Sequence, residues 1–113
     1  MRACSDAFWR ALLTLRDRGV SEDLAVRALQ TWTLLAHVGA PEASIEIARD
    51  EVVRFTWSHA DLYLHVDVRT DGYEWFFEDD MAKRYDGNPE EVVSALPTAF
   101  FTGLAAIGAR RPA

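Results

Sequence analysis

A chain of 113 residues, half of it hydrophobic and 12% aromatic, suits one domain built on one core. The formal charge of −6 is uneven: residues 1–40 hold five arginines and four acids, residues 41–113 seven basic residues and fourteen acids, which argues against a phosphate-bearing partner such as nucleic acid. A lone cysteine, Cys4, excludes an internal disulfide and a cysteine-based zinc site, and no apolar run is long enough to span a membrane.

Residues 5–19, SDAFWRALLTLRDRG, read as a first helix. Ser5 can cap it, Asp6 suits the positive end of the dipole, and Phe8, Leu12 and Leu15 recur at helical spacing before Gly19 ends it. Asp6 also interrupts the apolar start, so a secretory signal is not expected and the cytoplasm is. Residues 20–39 read as a second helix. Ser21 caps it, Glu22 and Asp23 load its first turn, and Leu24, Ala28, Thr31/Trp32 and Leu35 make one stripe. The short link between the two helices predicts a helical hairpin.

From Ser44 the apolar period changes to two. SIEIA is a short first strand, and EVVRFTWS, DLYLHVDVRT and YEWFFED are three more. Asp71-Gly72 is the strongest turn signal, and a turn there would set Val68 against Trp75 and Val66 against Phe77. A turn at His59-Ala60 would set Trp57 against Leu62 and Phe55 against Leu64. Both choices gather the large apolar side chains on one face. DGNPEEVVSALPTAFFTGLAAIG, 86–108, reads as a last helix. Asn88 caps it, Pro89 takes its first position, Glu91 completes a capping box, and Pro97 breaks it into two pieces. The expected fold is α+β: a helical hairpin, a four-stranded antiparallel meander, and a broken C-terminal helix packed on the Trp57/Val66/Trp75 face. One domain is expected over 1–113, with loose ends at 1–4 and 109–113.

The same registers give the second face of the meander a cross-strand row of Arg54, His65 and Glu78, and another of Val52, Asp67 and Phe76. Arg69 would face Glu74, and Thr56 would face Tyr63. A carboxylate holding an imidazole is an acid–base element, so a small enzyme using His65 with Glu78 or Asp67 is one reading. No nucleophile accompanies that row, and no catalytic residue is assigned. The three histidines, 37, 59 and 65, lack metal-ligand spacing, and the six glycines form no phosphate loop, so no metal or cofactor is expected.

The segment LRDRGVSEDLAVRALQ resembles a helix-turn-helix with Gly19 in the turn. That resemblance implies DNA binding through the helix that begins Ser21-Glu22-Asp23, a start whose charge repels phosphate. The segment is also similar to the first two helices of ubiquitin-associated domains, with Val20 where the aromatic residue of their turn would stand. The meander is similar to small bacterial and phage-type proteins with a Trp-bearing strand and an Asp-Gly turn, a resemblance that implies no activity.

The reading favoured by composition is a small acidic, non-enzymatic protein-interaction module. Its expected surface comprises Phe76 with Tyr63, His65, Asp67, Glu74, Glu78, Asp79 and Asp80. Aromatic residues rimmed by charge are a common interface composition. A basic protein partner fits that surface, as for an inhibitor, antitoxin or immunity-type protein, and a homodimer is the other arrangement expected. No membrane partner is expected.

Overall fold

The computed structural model describes residues 10, 13, 17, 19–48 and 52–110. The first helix expected over 5–19, and with it the helical hairpin, lies outside the described residues apart from scattered positions. Seven elements follow: α1 (Glu22–His37), β1 (Ser44–Ala48), β2 (Val52–His59), β3 (Leu62–Arg69), β4 (Gly72–Asp79), β5 (Arg84–Val93) and α2 (Thr98–Arg110). The fold is α+β, with the five strands in one antiparallel sheet in sequence order.

α1 forms where its cap and stripe predict. The Ser21 side chain accepts a hydrogen bond from the Leu24 amide at 3.2 Å, satisfying one of the helix's orphan donors. Leu24, Ala28, Thr31 and Leu35, spaced three and four apart, are its buried residues. They meet the sheet face that carries Phe55, Trp57, Leu64, Val66, Trp75 and Phe77. α2 adds Phe100, Leu104 and Ile107 to the same core, and the Phe100 ring stands edge-on to Trp57 at 6.1 Å and to Trp75 at 5.9 Å. Among the described residues both helices pack on this one face.

Three sequence expectations are corrected. First, the sheet has five strands, because 84–93 is a strand and not the start of a helix. The Asn88 side chain does accept from a nearby amide, that of Glu90 at 2.9 Å. That local bond shapes a bulge, where Trp75 pairs with Asn88 but Tyr73 pairs with Val93. An Asx-type turn and a helix N-cap use the same side chain, and the β-branched Val92 and Val93 that follow suit the strand.

Second, Pro97 starts α2 instead of kinking it, and its carbonyl accepts from the Phe100 amide at 3.0 Å. A proline amide has no proton to give, so the first turn is where it is tolerated.

Third, both hairpins turn one residue away from the expected position, which shifts the strand pairing by two residues. Arg69 pairs with Gly72, which makes Thr70-Asp71 the turn, and His59 pairs with Leu62, which makes Ala60-Asp61 the other. Gly72 thus opens β4 at φ 146°, where a Cβ would collide with the Val93 carbonyl oxygen. The glycine is required both by this positive φ and by the close passage of β5.

Candidate functional site

A two-residue shift leaves every side chain on its expected face but gives it a new neighbour. The second face of the sheet therefore carries three rows. The first runs Glu46, Arg54, Asp67, Glu74; the second Ser44, Thr56, His65, Phe76, Gly87; the third Ser58, Tyr63, Glu78, Tyr85. The expected rows of Arg54–His65–Glu78 and Val52–Asp67–Phe76 do not form, and Thr56 faces His65 and not Tyr63.

The first row is an ion-pair network. Arg54 grips Asp67 with two bonds, Nε to Oδ1 at 2.6 Å and Nη2 to Oδ2 at 2.8 Å. Bidentate geometry is the strong form of this pair. The bond to Asp67 raises the Arg54 pKa further above its already high ordinary value. Arg69 lies diagonal to Glu74 and still reaches it, Nη1 to Oε1 at 2.7 Å, and its Nε bonds Asp71 Oδ1 at 2.8 Å.

The second and third rows bring four rings together. Tyr63 and His65 meet edge-on at 5.5 Å between centroids, His65 lies 6.2 Å from Phe76, and Phe76 stacks with Tyr85 at 6.4 Å and 19°. His65 is 8% exposed. Its Nδ1 lies 3.0 Å from the Tyr63 hydroxyl, and its Nε2 is buried with no hydrogen-bond partner among the described residues. Burial holds the imidazole pKa below its ordinary value, outweighing the pull of Asp67. Burial likewise raises the Tyr63 hydroxyl. His65 thus sits against a tyrosine with no described carboxylate bonded to it, and the Arg54–His65–Glu78 row on which the acid–base reading rested does not form.

Glu78 stands directly between Tyr63 and Tyr85, two residues along the strand from Phe76. It is half-buried, and no described residue gives it a hydrogen bond or an ion pair. The two acids after it go elsewhere. Asp79 alternates to the other face, and its Oδ1 accepts from the Ala82 amide at 3.1 Å. Asp80 lies in the turn, 3.5 Å from Lys83 Nζ. Of the eight residues expected at a surface, six share this face: Tyr63, His65, Asp67, Glu74, Phe76 and Glu78. Tyr85, 54% exposed, joins them from β5, just before the segment 86–108 expected as a helix. Its signal was the alternation of Arg84, Tyr85 and Asp86, short but of strand type.

Among the described residues no three metal-ligating side chains gather in one place, and no helix is long and apolar enough to cross a membrane. Compared with known proteins, the chain matches no protein-family model, no curated protein and no solved structure. The chemistry of its own residues is what bears on function.

Proposed function

We propose that the protein is a non-enzymatic interaction module that binds a basic protein partner with the second face of its sheet. The observation that supports this is Glu78, a carboxylate without a described partner set among Tyr63, Phe76 and Tyr85. Tyrosine and phenylalanine supply large contact area with few rotors, and aromatic anchors carry a disproportionate share of binding energy. The overall charge of −6 draws a basic partner in and speeds encounter. An inhibitor, antitoxin or immunity-type protein would use such a face against a basic enzyme.

The test is amide shift mapping of the whole chain by NMR during titration with an unstructured cationic peptide. Shifts confined to β2–β5 positions whose side chains lie on the second face support the proposal. Shifts on α1 and α2 instead, or none, reject it.

A second reading is self-association through α2. From Thr98 to Ala109 that helix carries no charged residue, and Val38, Pro41, Phe101 and Leu104 line an apolar groove of about 520 Å³ beside it. Two copies of an acidic chain repel least where neither is charged. Sedimentation at rising concentration decides this: a single monomer mass throughout removes it.

A further inference from the structure

We infer that Glu78 and the rings of Tyr63, Phe76 and Tyr85 form a seat for an arginine side chain of the partner; this rests on the interaction reading above and names the group recognised.

The placement of the four residues carries the inference. Tyr63 on β3 and Tyr85 on β5 flank Glu78 on either side, each one strand spacing away, about 4.8 Å. Phe76 precedes Glu78 on the same strand and face and stacks with Tyr85 at 6.4 Å. A carboxylate thus shares one face of the sheet with three aromatic side chains. Asp67 and Glu74, the neighbouring acids of this face, are already held by Arg54 and Arg69. No described residue holds Glu78, and a half-buried carboxylate without a described partner gains most from an incoming cation.

The shape favours guanidinium over ammonium. Phe76 and Tyr85 stack nearly parallel at 19°, so the outer face of the pair is flat. A planar guanidinium can lie against such a face while its edge engages a carboxylate with two bonds. It is also less strongly hydrated than a lysine ammonium, so it gives up less on leaving water. The chain makes both halves of this contact within itself: Arg27 sets its guanidinium carbon 5.1 Å from the Tyr73 ring centre, and Arg54 binds Asp67 bidentately two rows from Glu78 on the same face. An anionic ligand is disfavoured at the same place, because the free charge there is negative.

The experiment titrates the whole protein with three short peptides of alternating glycine and, respectively, arginine, lysine or citrulline, following amide and aromatic signals by NMR. The arginine peptide is expected to shift Tyr63, Glu78 and Tyr85 most and to bind about fivefold or more tighter than the lysine peptide, with citrulline weaker still. Glu78→Gln, which removes charge from a residue holding no described bond, is expected to weaken the arginine peptide about tenfold. Tyr85→Ala, at an exposed position, serves as a second variant and is expected to weaken it as well. Equal binding of arginine and lysine peptides, or unchanged binding by Glu78→Gln, overturns the seat. If the arginine peptide shifts other residues of the same face, the seat is wrong and the interaction reading stands. If no cationic peptide shifts that face, both fall.

Discussion

Arg54 and Asp67 face each other across β2 and β3 and close a two-bond ion pair, yet the two are not equally wet: 33% of the arginine side chain is exposed and 11% of the aspartate. Removing one partner therefore differs from removing the other. Arg54→Ala strands a carboxylate already mostly out of water, whereas Asp67→Ala leaves a guanidinium that water can still reach. Urea denaturation should show Arg54→Ala destabilised by about 1–3 kcal/mol and Asp67→Ala by less. Equal losses would mean that water reaches Asp67 as easily as Arg54.

Gly103 and Gly108 both lie in α2, and alanine should move them in opposite directions. A Cβ at Gly103 would lie 2.8 Å from Cδ1 of Phe77, a ring 2% exposed in the core, so the ring or the helix must shift. At Gly108 the nearest atom is Pro41 Cγ at 3.7 Å, an ordinary contact. Gly103→Ala should cost about 1–3 kcal/mol despite its gain in helix propensity. Gly108→Ala should gain up to about 1 kcal/mol. Thermal unfolding of both variants checks this, and a stabilised Gly103→Ala would place α2 farther from Phe77 than described.

The imidazole of His65 should make stability depend on pH. Unfolded, it takes up its proton near its ordinary pKa of about 6.5. Folded, it resists protonation, because burial lowers its pKa. The unfolded state therefore binds more protons on acidification, and acid favours unfolding. His65 contributes its full stability above about pH 6.5 and loses it as pH falls toward and through the lowered folded value. His65→Phe keeps a ring beside Tyr63 and Phe76 and removes the titration. Denaturation from pH 7.5 to 5 should show the wild type losing stability relative to that variant. A constant difference across the range would show that His65 titrates alike in both states.

Much of the fold was legible in the sequence because period and face are local properties. The stripe Leu24, Ala28, Thr31, Leu35 and the cap at Ser21 located α1, and the alternations Val53-Phe55-Trp57 and Leu62-Leu64-Val66-Val68 located the core face of β2 and β3. Register was not legible. A shift of two residues preserves burial on both faces, and Asp71-Gly72 pointed to a turn whose glycine the approach of β5 had claimed. β5 itself was hidden because Asn88 and Pro89 carry helix-start chemistry, and only the distant pairing with β4 overrides it. The cluster around Glu78 depended on both missed features. It needs the true register to set Tyr63 beside Glu78, and it needs β5 to bring Tyr85 to the other side.

Trp75 and Phe76 are adjacent in sequence and point to opposite faces, so one pair of variants separates the two roles assigned to the sheet. Trp75 is 5% exposed against Phe100, while Phe76 lies half-buried between His65 and Tyr85. Stability and cationic-peptide affinity, measured together on Trp75→Ala and Phe76→Ala, give the most direct test. Trp75→Ala should lose about 3–5 kcal/mol. Phe76→Ala should lose about 1 kcal/mol and still fold, but bind the peptide about tenfold or more weakly. Full affinity in a folded Phe76→Ala protein would contradict the assignment of the second face to binding.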